Sequence, residues 1–131
     1  MFIDASALTA IIVGERDAPE LLARLQGHMS RRTSPLAVWE TVVAVARILH
    51  LDVTDAEAAV EDFLKLAAIL VVPVPAEARS LAIDAFNRFG KGRHPAALNF
   101  GDCFSYACAR LADMPLLYKG DDFPHSDIAT A

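Results

Sequence analysis

Apolar residues in the first half of the chain form one short continuous run and several stretches in which they repeat at the spacing of a helix. The run Phe2-Ile3 ends at Asp4 and is typical of a first strand in a protein core. The apolar residues in these stretches have the spacing of an amphipathic helix, so each stretch predicts a helix. Two of them end at Gly14 and Gly27. These helices cover residues 6–13, 19–25 and about 37–49, and a short extended stretch at residues 31–36 precedes the third.

The second half repeats the alternation of strands and helices. Thr54 and Glu57 have the spacing of a capping box, which predicts a helix that opens there and runs to about residue 67. The β-branched run at residues 69–72 predicts a fully buried parallel strand, and Pro75 suits the first turn of a following helix. The remaining predicted elements are helices at residues 76–88 and from Asn99-x-x-Asp102 to about 112, a strand at 115–118, a turn at 120–122 and a short edge strand at 126–128.

This order of elements predicts an α/β fold with a mainly parallel sheet and helices on both faces. The 131 residues are the usual size of one domain, so residues 1–131 are expected to form a single unit. In such folds, functional sites form outside the carboxyl ends of the strands.

Composition limits the kinds of surface and the cellular compartment that fit this sequence. Hydrophobic residues make up 54% of the chain, which favours either a dimer or protein-partner surface, or a well-filled core of alanine-rich helices. The longest apolar run, residues 66–76, contains Pro73 and Pro75 and is far shorter than the roughly 20 residues that span a bilayer. The amino terminus lacks the basic region of a signal peptide. Cys103 and Cys108 make no disulfide framework, and a cytoplasmic protein with reduced core cysteines is expected.

The net charge of −5 argues against a general polyanion-binding protein but leaves local basic patches possible. Arg88, Lys91 and Arg93 form a basic stretch interrupted by glycines. Two interpretations remain open for it, a solvated loop after a helix and a mobile edge that binds phosphate.

Acidic residues follow or precede the predicted strands at four separate places. Asp4 follows the first strand, Glu40 lies in the first turn of the helix after the second, and Asp102 begins the helix before the fourth. Asp121 and Asp122 lie in the turn after that last strand. Each has an ordinary alternative as a helix cap, a helix-terminal charge or a turn residue. Together they are expected to converge at one edge of the sheet.

Carboxylates packed together repel one another and take up protons unless a cation compensates them. Mg²⁺ and Mn²⁺ prefer oxygen ligands, and the absence of histidine and cysteine from the set points away from zinc. A metal of this kind lowers the pKa of bound water and neutralises charge on a phosphodiester. The acids therefore predict a hard-cation site suited to phosphodiester hydrolysis.

Four segments resemble the PIN-domain ribonucleases, specifically the VapC toxins of bacterial toxin–antitoxin pairs. The opening residues 1–7 look like that family's first motif, with an acid at Asp4 and a hydroxyl at Ser6, and Val38-Trp39-Glu40 looks like the site of its second acid. The most specific match is residues 94–103, His-Pro-Ala-Ala-Leu-Asn-Phe-Gly-Asp-Cys, which carry the third acid. Residues 116–123 resemble the last motif, in which either Asp121 or Asp122 fills the position of a variable fourth acid.

The resemblance implies a twisted parallel sheet, a homodimer, and Mg²⁺- or Mn²⁺-dependent cleavage of RNA. It also implies a small VapB-like antitoxin that occupies a groove and blocks the site. On this hypothesis Asp4 and Asp102 bind the metal, while Glu40 and Asp121 or Asp122 bind a second ion or orient the attacking water. Ser6 supports a ligand carboxylate or a phosphate. The candidates for contact with the RNA backbone are Lys119 and the stretch that contains Arg88, Lys91 and Arg93.

Two other classes of function compete with a ribonuclease. A receiver-type phosphoryl-transfer domain also gathers aspartates at strand ends, but here the first strand ends in Asp4-Ala5-Ser6 rather than Asp-x-Asp. The other class is a non-catalytic binding or regulatory module, which the high apolar content also suits.

Overall fold

The structure, a computed structural model, describes all residues from Met1 to Ala131. Its four strands form one parallel sheet in the order β3-β2-β1-β4. The strands are β1 (Phe2–Ile3), β2 (Arg32–Thr33), β3 (Leu70–Val71) and β4 (Leu116–Leu117). The helices are α1 (Ala5–Val13), α2 (Ala18–Gln26), α3 (Pro35–Leu49), α4 (Val53–Leu66), α5 (Ala78–Phe89) and α6 (Phe100–Leu111). The predicted α/β fold with a parallel sheet is confirmed.

Helices cover both faces of the sheet. Successive strand residues point to opposite faces, so each face presents apolar side chains to a layer of helices. Phe2 and Leu116 pack into a cluster with α5 and α6, whereas Ile3 and Leu117 pack into a second cluster with α1 to α4. All four side chains are almost fully buried. Burial of each stabilises the fold by about 1.5–3 kcal/mol, so β1 and β4 hold the two helical layers together.

The pairing of β1 with β4 brings the start and the end of the chain together. Phe2 lies opposite Leu116, and Ile3 lies opposite Leu117. One residue later, the backbone N–H of Asp4 donates a 2.9 Å hydrogen bond to the carbonyl of Leu117. Both strands therefore end at the same edge of the sheet, where Asp4 lies beside the loop that follows β4.

The prediction of a fully buried strand at residues 69–72 is wrong in its burial. The parallel strand exists as β3, but it is the edge strand of the sheet and both Leu70 and Val71 are exposed. Only Ile69, just before it, is buried. A β-branched run indicates a strand, but it does not reveal that the strand has a neighbour on one side only.

Two helix starts in the first half of the chain differ from the prediction. The capping box at Thr54 and Glu57 does not form, because α4 already begins at Val53 and Thr54 lies inside its first turn. Helix α3 begins at Pro35, two residues earlier than predicted, because the Ser34 side chain caps it. Its hydroxyl accepts a 3.1 Å hydrogen bond from the backbone N–H of Ala37.

The carboxyl-terminal half has two further differences. Helix α5 begins at Ala78 rather than residue 76, so Pro75 lies before the helix instead of in its first turn. No edge strand forms at residues 126–128, and the tail makes only an isolated parallel bridge between Leu116 and Thr130.

Cys103 and Cys108 are free and buried, as predicted. Burial raises the pKa of each thiol to about 11, so both are protonated at neutral pH. None of the six helices has the length and hydrophobicity that a membrane-crossing segment requires.

Candidate functional site

A pocket of about 490 Å³ lies at the edge of the sheet where β1 ends. Asp4, Glu40 and Asp102 all line it, although they come from distant parts of the chain. Three separate elements deliver them, namely the end of β1, helix α3 and the first turn of α6. The structure therefore brings together three of the acids that the sequence pattern selected.

Asp4 caps helix α1 and also lines the pocket. Its Oδ2 accepts a 2.9 Å hydrogen bond from the backbone N–H of Ser6 and a 2.6 Å bond from the Ser6 hydroxyl. The residue is only 2% exposed. Both hydrogen bonds reach the same carboxylate oxygen, which leaves Oδ1 for a ligand. The capping role and a role in the pocket are thus compatible.

Ser6 connects this carboxylate to the last strand. While its hydroxyl donates to Asp4, it accepts a 3.0 Å hydrogen bond from the backbone N–H of Lys119. Lys119 directly follows Tyr118 at the end of β4 and also lines the pocket. The hydroxyl therefore fixes the position of Asp4 relative to the loop that carries the last acids.

Asp102 is held by the predicted capping box. Its Oδ2 accepts a 2.8 Å hydrogen bond from the backbone N–H of Asn99, and Asn99 Oδ1 accepts a 3.0 Å bond from the N–H of Asp102. Burial, together with the charges of Asp4 and Asp122, raises the pKa of Asp102 to about 6, although the hydrogen bond from Asn99 opposes this shift. The carboxylate is therefore oriented by its own helix.

Glu40 lies in the second turn of α3 rather than the first, because the helix begins earlier than predicted. Burial and the nearby charges of Asp4 and Asp102 raise its pKa to about 7. Its carboxylate rests against Gly101 in the first turn of α6. At neutral pH the three acids thus do not all carry full charge.

The two acids after β4 differ in their relation to this pocket. Both Asp121 and Asp122 are exposed, and neither lines the pocket. The charge of Asp122 nevertheless raises the pKa of Asp102, which places Asp122 within electrostatic range. Asp121 is not among the charges that raise the pKa of Glu40 or Asp102.

The predicted basic residues are spread over different surfaces. Lys119 lines the pocket and forms an ion pair with Glu15. Arg88 is engaged elsewhere, in ion pairs to Asp127 at 2.6 Å and to Asp84 at 3.5 Å. The other two predicted residues, Lys91 and Arg93, are exposed in the loop after α5 and do not line the pocket.

The sequence interpretation did not select Arg47, which lines the pocket, or Gly101, which lies against Glu40 but does not line the pocket. Arg47 lines the pocket and makes no ion pair within 4.0 Å. It lies seven residues after Glu40 on α3, a spacing that puts both side chains on one helix face and is visible in the sequence. No sequence pattern revealed the contact of Gly101 with Glu40.

The donor set fits a hard divalent cation. The candidate ligands in the pocket are oxygen atoms, from the carboxylates of Asp4, Glu40 and Asp102 and the amide of Asn99, whereas the fourth carboxylate of the lining, Glu15, is paired with Lys119. Burial first, and then the charges of neighbouring acids, raise the pKa values of Glu40 and Asp102. As the side chains stand, no three acidic, histidine or cysteine groups close on one metal-sized point.

A second concave surface lies between α5 and α6. It is lined almost wholly by apolar side chains, among them Ile83, Phe86 and Phe100. It contains no carboxylate, so it offers no ligand for a hard cation.

The parallel fold and the acidic pocket define the class of this protein. The sequence model of the PIN domain matches residues 1–128, and the chain therefore belongs to the PIN-domain family. The resemblance seen in the four sequence segments is confirmed.

Related proteins narrow the family further. Ribonuclease VapC30 of Mycobacterium tuberculosis is 40% identical over 131 residues, which cover 99% of this chain and 97% of that protein. Ribonuclease VapC of Mycolicibacterium smegmatis is 37% identical over 135 residues, or 98% of each chain. A VapC ribonuclease of Rhizobium meliloti is 34% identical over 139 residues, or 97% of this chain and 98% of that one. Within the family, the chain belongs to the VapC ribonucleases.

A solved structure agrees with the fold. The crystal structure of Mycobacterium tuberculosis VapC20, described as a sarcin–ricin loop cleaving toxin, matches with a TM-score of 0.75. The match covers 99% of this chain and 97% of that one at 19% sequence identity. At this identity it supports the fold alone.

Proposed function

We propose that this protein is a divalent-metal-dependent ribonuclease, the toxin of a toxin–antitoxin pair, which hydrolyses RNA phosphodiester bonds. One observation carries the proposal: Asp4, Glu40 and Asp102 line one pocket at the end of β1, and two of the three have raised pKa values. Membership of the VapC ribonucleases supports the same activity.

Asp4, Glu40 and Asp102 would hold Mg²⁺ or Mn²⁺, directly or through water, and Asp122 is the candidate for a fourth acid. When bound, the metal supplies a coordinated water of lowered pKa and neutralises charge on the phosphodiester. Asp122 is favoured over Asp121 because only Asp122 influences the pKa of Asp102.

The chain's own groups orient the carboxylates and the substrate. The Ser6 hydroxyl holds Asp4, and the backbone N–H of Asn99 holds Asp102, so neither carboxylate has to be ordered when substrate binds. No side-chain hydrogen bond holds Glu40, so its carboxylate is left to bind the metal or to orient the attacking water.

Two basic side chains on the pocket wall are suited to bind the RNA backbone. The guanidinium of Arg47 makes no ion pair, and the ammonium of Lys119 is ion-paired with Glu15. Lys91 and Arg93 would extend the contact along the substrate. Arg88 is less suited, because Asp127 and Asp84 already engage it.

The proposed partners are a small VapB-like antitoxin and a second copy of the chain. Exposed apolar side chains are available for such contacts, including Trp39 at 66% and Ile83 at 64% exposure. They lie on different helices, α3 and α5, so two separate contacts are possible.

The experiment is an RNA cleavage assay on the purified protein with EDTA, and then with Mg²⁺ or Mn²⁺ restored in excess. Cleavage that stops with EDTA and returns with either metal supports the proposal. Full cleavage in EDTA would reject metal dependence, and no cleavage under any condition would favour a non-catalytic module. Stable labelling by a small phosphodonor would favour a receiver-type domain.

A further inference from the structure

Gly101 lies buried in the first turn of α6, between the two residues of the capping box. A Cβ built at this position with ideal geometry would lie 2.5 Å from Cδ of Glu40 and closer still to both carboxylate oxygens. Real Cβ atoms essentially never approach other heavy atoms so closely. The Glu40 carboxylate thus occupies the space that any other residue at position 101 would fill.

Backbone geometry does not explain a glycine here. The glycines with positive φ are Gly14, Gly92 and Gly120, whereas Gly101 has the ordinary conformation of a helix. In a helix, glycine is less favourable than every residue except proline. The glycine is therefore explained by the lack of room for a side chain at position 101, not by a backbone conformation that only glycine adopts.

We infer that Gly101 is a positioning residue, whose missing side chain lets the Glu40 carboxylate rest against the first turn of α6 beside Asp102. The functional part of this inference rests on the proposed metal-dependent ribonuclease. A side chain at position 101 pushes Glu40 out of the pocket or forces α3 away from α6. The position of the Glu40 carboxylate beside α6 therefore depends on the absence of a methyl group at position 101.

The geometric part is tested by melting temperature in EDTA, without metal or RNA. Gly101→Ala is expected to lower Tm in the wild-type background, because the new methyl group overlaps Glu40. In a Glu40→Ala background the same change is expected to raise Tm by about 2–4 °C, since alanine is the better helix former and the obstacle is gone. The control is Gly27→Ala, whose Cβ would lie 3.4 Å from the Arg24 carbonyl, and its effect should be equal in both backgrounds.

The functional part is tested by Mn²⁺ affinity, measured from the free-ion signal in electron paramagnetic resonance. Gly101→Ala is expected to weaken Mn²⁺ binding at least about tenfold, or about 1.4 kcal/mol, whereas Gly27→Ala leaves it unchanged. Adding Glu40→Asp to Gly101→Ala should recover part of the lost affinity, because aspartate keeps the charge and is one methylene shorter.

The possible failures are distinguishable. An equal effect of Gly101→Ala on Tm in both Glu40 backgrounds would overturn the inference. Normal Mn²⁺ affinity of Gly101→Ala would overturn its functional part, as would the absence of recovery with Glu40→Asp. If the wild-type protein binds no Mn²⁺, the metal-site proposal fails, and the Tm comparison alone decides whether Gly101 positions Glu40.

Discussion

The Ser6 hydroxyl donates a 2.6 Å hydrogen bond to Oδ2 of Asp4. The same hydroxyl accepts the backbone N–H of Lys119, so one oxygen atom joins the beginning of α1 to the loop after β4. Because Asp4 receives its two hydrogen bonds from Ser6 alone, the orientation of this carboxylate depends on a single residue.

Replacing Ser6 by alanine removes both side-chain interactions. We expect Ser6→Ala to reduce the free energy of unfolding by about 1–2 kcal/mol, measured by urea denaturation, and to lower the rate of RNA cleavage as well. The matched control is Ser126→Ala, whose hydroxyl donates to the carbonyl of Phe123 in a loop that does not line the pocket. Equal cleavage rates for the two variants would contradict a positioning role for Ser6.

The raised pKa of Glu40, about 7, makes the stability of the metal-free protein depend on pH. The folded state binds this proton more tightly than the unfolded state, for which the ordinary value is 4.5. The free energy of unfolding in EDTA should therefore fall as pH rises from about 4.5 to 7, and the loss should be complete above that window. Glu40→Gln should make this fall shallower, as measured by urea denaturation across the range. An unchanged pH dependence in Glu40→Gln would contradict a raised pKa.

Metal binding should stabilise the folded protein. At a hundredfold excess over Kd, Mg²⁺ or Mn²⁺ should add about 2.7 kcal/mol to the free energy of unfolding, which raises Tm by about ten degrees. Asp102→Asn should reduce this gain, whereas the exposed Asp55→Asn on α4 should not. A Tm that does not respond to saturating metal, measured at constant ionic strength, would count against the acidic pocket as a metal site.

Arg47 is expected to act on the RNA backbone rather than on the chemistry. Arg47→Gln should raise KM several-fold at low salt with little change in kcat, and flatten the dependence of log affinity on log salt by about 0.7 for one lost contact to single-stranded RNA. The control is Lys65→Gln, which removes the same charge from α4 at a site where only Glu61 is paired with it. Indistinguishable KM values for the two variants would exclude Arg47 from the substrate surface.

The sequence predicted the fold well where local patterns and burial agree. Phe2 and Ile3 lie on the central strand and are fully buried, as their short apolar run indicated. Leu70 and Val71 have the same kind of pattern, yet they are exposed on the edge strand β3, whereas the other edge strand, β4, is buried and is bridged by the tail at Thr130. The order of strands depends on contacts between distant segments, which one sequence does not reveal.

In the candidate site, too, the residues marked by local patterns could be predicted, and the contacts between distant segments could not. Asp4 and Asp102 could be selected from the sequence because each directly follows a strand or opens a helix. The closeness of Glu40 to Gly101 could not, because it depends on how α3 packs against α6. Arg47 was recoverable in principle, from its position on the same helix face as Glu40.

The most direct test of the metal-dependent site is the initial rate of RNA cleavage by Asp4→Asn in saturating Mn²⁺. Asparagine is also a good helix cap and can still accept hydrogen bonds from Ser6, so the fold should persist. We predict a loss of at least about a hundredfold in rate, or about 2.7 kcal/mol, with the rate of the exposed Asp113→Asn unchanged. A folded Asp4→Asn protein that cleaves RNA at the wild-type rate would contradict the assignment of the acidic pocket as the active site.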